Sequence, residues 1–390
     1  MGLLFRLFGP SLFIAKVANV IFAIWILFFA YYIAKTLFGS ELCGRVTLLI
    51  LAFYPDHIAY TSLLASEILF LFLFLLGVVL LIAPGPKIGL AVIAGIVFGL
   101  ACLVKPQALL VPAILFAVLW ASRARHKTLV EYGLGFIIVY LTLGLTILPW
   151  LIRNYQVFNH VVFISTNGGY NLLVGNHPAA TGAYNFSEAL VFRLSDAQNE
   201  FQRDRKAFQL AVDYMVAHPL ETIQRWPKKL WHLYGRDTKG LDWNMKGLQG
   251  DSNQQVRALL DWLEPIVQIY YTLIMAGFLL SVFLLFKKAK THPGVQPFPT
   301  LGLWLAFYFT LISLLTFGNS RFHLPIIPWM VMYVGAWIAL KSTLADKAGP
   351  WSRVYRGVLS GIKSYRRSLP AFPVAAGNVI PSSVWVSIWG

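Results

Sequence analysis

The chain has 390 residues, of which 58% are hydrophobic and only 12% are charged, and its mean hydropathy is +0.66. So few charges cannot cover the surface of a soluble globule of this length, so the composition excludes that class and predicts a polytopic membrane protein. The formal net charge of +16 comes from basic residues scattered among apolar segments. That pattern indicates contact with anionic membrane lipids and argues against nucleic-acid binding.

Apolar runs predict about nine membrane-spanning helices, some of them short for the roughly 20 residues that a span needs. In chain order the runs are residues 17–36, 42–54, 67–84, 88–104, 107–122, 130–151, 265–286, 299–317 and 324–341. The predicted fold class is an all-α, polytopic integral membrane bundle with one sizeable loop domain on the outer face. Its predicted parts are an N-terminal transmembrane bundle (1–153), an extracytoplasmic loop (154–260), C-terminal transmembrane helices (261–341) and a cytoplasmic tail (342–390).

The orientation follows from Lys and Arg in short loops, which stay in the cytoplasm. Three basic clusters, at 123–127, 287–290 and 353–367, fall on one side of the membrane if every run crosses it. The predicted protein therefore sits in the plasma (inner) membrane with its C-terminus inside and its N-terminus outside. An outside N-terminus with no signal peptide predicts that one upstream helix is missing.

The loop from 154 to 260 carries two predicted helical stretches. Residues 195–218 form an amphipathic pattern that Ser195 can cap. Residues 221–234 mix aromatic and basic side chains, which suits the headgroup zone, and are predicted to kink at Pro227. Nearer the membrane, residues 165–176 hold three asparagines and three glycines, which predicts tight turns that present amides to a polar ligand such as a sugar. An ordinary polar loop is the alternative.

Ionisable residues gather at the outer ends of the predicted spans, where they are energetically costly and therefore indicate a reaction or binding site. The five residues are Asp56, Glu67, Lys105, Arg153 and Arg321. Asp56 and Glu67 are the only acids on the predicted outer side within the first 150 residues, so they are the candidate catalytic bases. The simpler alternatives are a loop charge for Asp56 and a helix-capping carboxylate for Glu67.

The basic residues of this set are the candidates for substrate binding. Lys105 can hold a lipid phosphate or extend to the headgroups, and Arg153 and Arg321 can form a fork on a phosphate or anchor the chain at the interface. Further polar candidates adjoin them in the same segments: Asn154, Asn171, Asn176 and His323. No cluster of His or carboxylate residues predicts a metal site, so no cofactor is certain and a divalent cation is left open.

Six segments, in this order, resemble the polytopic GT-C glycosyltransferases of bacteria, which include protein O-mannosyltransferases and the aminoarabinose transferase of lipid A. The segments are Leu-Ala-Phe-Tyr-Pro-Asp (51–56), Ser-Leu-Leu-Ala-Ser-Glu-Ile-Leu-Phe (62–70), Gly-Leu-Ala-Cys-Leu-Val-Lys-Pro (99–106), Leu-Pro-Trp-Leu-Ile-Arg-Asn-Tyr (148–155), Gly-Gly-Tyr-Asn-Leu-Leu-Val-Gly-Asn (168–176) and Ser-Arg-Phe-His-Leu-Pro-Ile-Ile-Pro (320–328). The resemblance covers about residues 5–341.

This resemblance implies an integral membrane transferase that moves a hexose or pentose from a polyprenyl-phosphate donor to an acceptor hydroxyl at the outer face. The acceptor is a lipid, a glycan or a protein. By the family pattern, Glu67 takes the position of an acidic residue at the outer start of a span. Lys105, Arg153 and Arg321 match basic positions that face phosphate, and the stretch that ends at Asn176 lies over the cavity.

One departure from the family concerns the N-terminus. Family members begin with a cytoplasmic N-terminus, one span and a first outer loop that carries the acidic catalytic residue, and this chain starts just after that region. We therefore expect either an N-terminally truncated or inactive form, or an enzyme whose base is Asp56 or Glu67. The alternatives are a polysaccharide ligase or polymerase and a non-enzymatic lipid or glycolipid transporter, which should show internal pseudo-symmetry.

Overall fold

A computed structural model describes residues 2–83, 88–121, 129–185, 194, 197, 199–247, 254–291 and 300–348. The predicted basic clusters at 123–127 and 353–367 and the predicted cap Ser195 lie outside the described residues. The chain divides into two compact units, residues 1–339 and residues 340–390, and the second is described only as far as residue 348.

The described residues form sixteen α-helices, and the one β-bridge among them pairs Ala183 with Gly318. The helices are α1 Gly2–Phe8, α2 Leu12–Phe38, α3 Glu41–Ala52, α4 Pro55–Thr61, α5 Glu67–Ile82, α6 Ile88–Val104, α7 Val111–Ala121, α8 Leu129–Phe158, α9 Gly168–Gly175, α10 Glu200–Ala217, α11 Pro219–Gln224, α12 Trp226–Tyr234, α13 Lys239–Gly247, α14 Gln254–Thr291, α15 Leu301–Leu315 and α16 Ile327–Ala348. Short 3₁₀ helices cover Pro106–Ala108 and Ser320–Phe322. The predicted all-α class is thus confirmed for this part of the chain.

Among the described residues, three helical segments are long and apolar enough to cross a membrane: Leu12–Phe38, Val130–Phe158 and Asp261–Lys287. A fourth is added if α3 and α4, which meet at 61°, count as one bent span. Helices α5, α6 and α15 are apolar but shorter, and the 16 residues of α5 give a length of about 24 Å. The long helices α2 and α8 carry exposed apolar side chains, such as Ile24 and Leu141 respectively, as expected for surfaces that face lipid.

Helix packing depends on small residues at the contact between α6 and α8. A Cβ atom added at Gly95 would overlap Thr142, and one added at Gly99 would lie 2.6 Å from Cβ of Thr146. Two glycines four residues apart let the backbones of neighbouring membrane helices approach closely. The main core lies among α2, α5, α6 and α16, and a smaller apolar cluster joins α9 to α10.

Several helix boundaries in the loop region differ from the prediction. Helix α10 begins at Glu200, where the Asn199 side chain accepts a hydrogen bond from the Gln202 backbone N–H at 2.9 Å. The stretch 221–234 belongs to two helices, because Pro227 occupies the first turn of α12 and the break falls at Arg225. A proline in a first helical turn lacks only an N–H that would be unpaired there anyway, so it starts a helix without kinking one.

The segment rich in asparagine and glycine is also corrected, since residues 168–175 form helix α9 instead of turns. Its apolar residues Leu173 and Val174 are buried against α10 and Phe317. Its glycines serve close contacts: a Cβ at Gly169 would overlap the Asp204 carbonyl. Burial of one face therefore outweighs the turn preference of the individual residues.

Candidate active site

Glu67 lies at the centre of an ion cluster that joins three distant parts of the chain. Its Oε1 accepts hydrogen bonds from Lys105 Nζ at 3.0 Å and from Arg321 Nε at 2.9 Å, and Arg321 Nη2 lies 2.7 Å from the same oxygen. Glu67 is the first residue of α5, Lys105 follows α6, and Arg321 lies in the 3₁₀ helix before α16. The tertiary fold thus brings together three of the five predicted ionisable residues.

The cluster carries two cations and one carboxylate and is only partly open to the exterior. The exposed fraction of the side chain is 1% for Glu67, 14% for Lys105 and 30% for Arg321. Glu67 Oε2 makes no hydrogen bond within the described residues. The net positive charge and the rising exposure from Glu67 to Arg321 give a small basic opening, which is a suitable arrangement for an anionic ligand.

Aromatic rings hold both cations in place. The Arg321 guanidinium lies 4.9 Å from the centre of the Trp243 ring, and Lys105 Nζ lies 5.4 Å from that of Phe70. Trp243 in turn meets Tyr60 edge to face, with ring centres 6.3 Å apart. Such cation–π contacts restrict the long side chains without neutralising their charge. Helix α13 therefore covers one side of the cluster.

Asp56, the second predicted base, is fully buried and joins α4 to α13. Its Oδ1 accepts the backbone N–H of Gly240 at 2.8 Å and that of Leu241 at 3.4 Å. A carboxylate is favoured at these unpaired N–H groups of a helix start. A Cβ at Gly240 would lie 2.8 Å from the same Oδ1, so this approach requires glycine. The geometry gives Asp56 a direct structural role.

His323 is also fully buried, and its surroundings differ from the substrate contact that we expected. Its Nε2 lies 3.0 Å from Asp237 Oδ1, its Nδ1 meets the Leu233 carbonyl, and its ring stacks against Tyr234 and Tyr271. Burial by itself would lower the pKa of His323, but the Asp237 carboxylate and the Leu233 carbonyl outweigh it and raise that pKa. The contacts of His323 therefore anchor the segment that carries Arg321 to α12 and α14.

Asn176 likewise has no free polar group for a substrate. It is fully buried, its Nδ2 donates to the carbonyls of Leu172 and Leu315, and its Oδ1 accepts from Lys229 Nζ at 3.0 Å. Lys229 Nζ also donates to the Leu314 carbonyl at 2.8 Å, near the end of α15. Burial, with a smaller contribution from the Arg225 charge, lowers the pKa of Lys229 to about 8. These bonds stabilise the end of α15, where a cation is favoured.

Arg153 and Asn154 contact each other, and within the described residues no contact joins them to the Glu67 cluster. Arg153 Nη1 donates to Asn154 Oδ1 at 3.0 Å, and the Arg153 guanidinium lies 5.0 Å from the centre of the Trp150 ring. Both residues line a separate cavity. Asn171 lies within α9 and is half-buried.

Sequence reasoning missed Lys229, Asp237 and Trp243. Each is polar or aromatic within a short loop-region helix or beside one, and no local pattern distinguishes it from neighbours such as Lys228, which is exposed. The helical period of α12 would have suggested that Lys229 and Leu233, four residues apart, share a face. Their buried partners come from elsewhere in the chain, so the pairing itself has no local signal.

No protein-family model matches the chain, and no curated protein and no solved structure matches it either. Within the described residues, no group of three or more His, Cys, Asp or Glu side chains is arranged to hold a metal ion.

Proposed function

We propose that the protein is a membrane glycosyltransferase of the GT-C type. It moves a hexose or pentose from a polyprenyl-phosphate donor to an acceptor hydroxyl at the outer face of the membrane. The observation that carries this proposal is the Glu67–Lys105–Arg321 cluster, because two fixed cations with one acid leave a net positive charge at the ends of apolar helices. A lipid-linked phosphate is the anion that reaches such a place from within the bilayer.

The proposed roles follow from the chemistry of transfer. The acceptor oxygen forms a bond to the anomeric carbon of the donor sugar, the bond from that carbon to the phosphate oxygen breaks, and the acceptor hydroxyl proton passes to a base. Lys105 and Arg321 stabilise the negative charge of the departing polyprenyl phosphate through hydrogen bonds that strengthen as the charge develops. No metal enters this scheme.

Glu67 is the preferred base, although Asp56 is the other predicted candidate. Both carboxylates keep one oxygen without a hydrogen bond in the described part of the chain. Glu67 adjoins Arg321, which is 30% exposed, whereas Asp56 is enclosed between α4 and the start of α13. Glu67 Oε1 contacts the two cations, and Glu67 Oε2, which makes no hydrogen bond within the described residues, is the oxygen proposed to take the proton of the acceptor hydroxyl.

The proposed topology has nine spans, with the cluster on the outer side and the C-terminus in the cytoplasm. The ion contacts support the relative placement of three spans, because the start of α5, the end of α6 and the segment before α16 must share one membrane face. The short helices α5 and α15 then need local thinning of the bilayer or flanking interfacial residues.

The test is a transfer assay with the full chain in lipid nanodiscs. Radiolabelled polyprenyl-phosphate sugars, each with a single hexose or pentose, are mixed with a membrane extract that supplies acceptors. We expect Glu67→Gln and Arg321→Ala each to reduce transfer by at least about a hundredfold, the scale of lost base or oxyanion stabilisation. Arg45→Ala, which removes an exposed cation of another ion cluster, is the matched control and should transfer like the wild type.

Folding is checked by gel filtration and helical circular dichroism, so that loss of transfer is not mistaken for loss of the fold. Near-normal transfer by both Glu67→Gln and Arg321→Ala would contradict the proposal that the Glu67 cluster is the active site. Absence of transfer by the wild-type chain with every donor would overturn the proposed activity. Activity only with a lipid-linked polysaccharide donor would favour the ligase alternative.

A further inference from the structure

A cavity of about 590 Å³ lies where the end of α8 meets α9 and the start of α10. Its volume falls within the roughly 300–1,000 Å³ of small-molecule sites. Four aromatic rings line it, from Trp150, Phe158, Tyr170 and Tyr184, together with two arginines and two acids. Mixed aromatic and hydrogen-bonding walls indicate a ligand with flat apolar faces and many polar groups.

The aromatic walls are fixed in orientation. Trp150 Nε1 donates to the Ile164 carbonyl at 2.8 Å, and the Arg153 guanidinium lies over the Trp150 ring. The Tyr184 ring packs against Phe317, with ring centres 5.3 Å apart, while half of the Tyr184 residue stays exposed. Rings held in this way can stack on a ligand with little loss of conformational entropy.

The acids of the cavity are placed by contacts to its own walls. Asp204 Oδ1 accepts the Tyr170 backbone N–H at 3.0 Å, and Glu200 Oε2 accepts the Thr166 hydroxyl at 3.0 Å. A carboxylate accepts about four hydrogen bonds, so each acid keeps capacity for ligand hydroxyls.

Among the described residues, the formal charges of the lining cancel. Arg153 and Arg203 supply two positive charges, and Glu200 and Asp204 supply two negative charges. A phosphate or another anion would gain no net attraction here, in contrast to the Glu67 cluster. An uncharged molecule with many hydroxyl groups can use both the N–H donors and the carboxylate acceptors.

We propose that this cavity binds an uncharged oligosaccharide, which is the saccharide part of the acceptor if the proposed transferase function holds. Helix α9 joins the cavity to the end of α15, the helix that precedes the segment of Arg321. Tyr170, at one end of α9, lines the cavity, and Asn176, at the other end, is hydrogen-bonded to Leu315, six residues before Arg321. The 8 residues of α9 span about 12 Å.

The experiment uses the full chain in nanodiscs and an array of lipid-free oligosaccharides, uncharged and acidic, followed by calorimetric titration of the strongest binder. Tyr184→Ala removes one wall, and Tyr155→Ala is its matched control, since Tyr155 on α8 is similarly exposed but does not line the cavity. Arg203→Gln and the neighbouring Arg205→Gln form a second matched pair, because only Arg203 lines the cavity.

We expect an uncharged saccharide to bind, with affinity about tenfold weaker in Tyr184→Ala and in Arg203→Gln, as the loss of one stacking ring or one hydrogen-bonding group implies. The two control variants should bind within about twofold of the wild type. Failure of every saccharide to bind, preference for acidic saccharides, or equal binding by Tyr184→Ala and Tyr155→Ala would overturn the proposal.

The same variants separate this proposal from the proposed function. In the transfer assay, Tyr184→Ala should raise the KM for the acceptor and leave the KM for the donor unchanged. Saccharide binding that depends on Tyr184, in a protein that never transfers a sugar, would support the proposed saccharide site and contradict the proposed transferase activity. Transfer that depends on Glu67 but is unchanged by substitution of Tyr184 or Arg203 would support the transferase activity and contradict the proposed saccharide site.

Discussion

Two ion clusters in this protein have the same composition, one glutamate with two cations, but opposite surroundings. Glu41 pairs with Lys35 at 2.6 Å and with Arg45 at 3.3 Å, all within eleven residues of sequence. Their side chains are 41%, 50% and 73% exposed, respectively. In the Glu67 cluster the acid is 1% exposed, and its partners lie 38 and 254 residues away.

The difference shows that burial decides what an ion cluster does. Exposed pairs are screened by water and salt and contribute little to stability. A buried carboxylate with fixed partners interacts strongly, and removal of one member leaves an uncompensated charge. The Glu41 cluster therefore serves as an internal control for the Glu67 cluster.

The largest expected effect comes from breaking the buried cluster. Glu67→Gln leaves Lys105 and Arg321 without their carboxylate and should lower the free energy of unfolding by about 3 kcal/mol, the lower end of the range because Arg321 is partly exposed. Glu41→Gln should leave it unchanged. Unfolding by SDS titration in mixed micelles, followed by tryptophan fluorescence, measures both. Equal shifts in the two variants would contradict the comparison.

Lys229, a buried cation with no carboxylate partner in the described part of the chain, sharpens the comparison. The pKa of Lys229 in the folded state is about 8, below its unfolded value, so the unfolded chain binds more protons between about pH 8 and pH 10. The contribution of Lys229 to stability therefore rises with pH across that interval, by about 2 kcal/mol.

Lys229→Met should remove this rise, whereas Lys228→Met, which replaces the exposed neighbour, should retain it. Unfolding midpoints at about pH 7 and pH 9.5 measure the slope of stability against pH for each variant. The same slope in Lys229→Met and in the wild type would show that Lys229 is not the titrating group.

The smallest expected effect comes from Arg321→Lys, which keeps the positive charge but changes the hydrogen-bonding geometry at Glu67. Arg321 reaches Glu67 with both Nε and Nη2, and a lysine can supply only one nitrogen. Arg321→Lys should therefore lower the free energy of unfolding by about 1 kcal/mol and reduce sugar transfer several-fold, while Arg45→Lys changes neither. The SDS titration and the transfer assay report both quantities, and an unaffected Arg321→Lys would mean that only charge matters at that position.

The sequence predicts the apolar helices well because their signals are local. Helix α6 occupies the predicted residues 88–104, and α5 begins at the predicted Glu67. An apolar run with a favourable start needs no distant partner to form a helix, since its backbone bonds lie within the run. The helix α9 was missed because asparagine and glycine favour turns until a buried face outweighs them.

The roles of individual polar residues were harder to predict. Asn176 and His323 were expected to contact substrate, and the structure shows both fully buried with their polar groups engaged by the chain itself. Arg153 and Asn154 were expected beside the same ligand as Arg321, but they line a cavity of their own. Residue type and span position alone do not tell which polar groups face inward.

Composition and hydrophobic pattern by themselves determined that this protein is helical and has helices suited to a membrane, because water, lipid and backbone hydrogen bonding constrain every such run in the same way. Only the tertiary structure decided that Glu67, Lys105 and Arg321 meet, while Asp56 accepts hydrogen bonds at the start of α13 and His323 lies against Asp237. The partners are up to 254 residues apart, and the strength of their interaction depends on a burial that no local segment specifies.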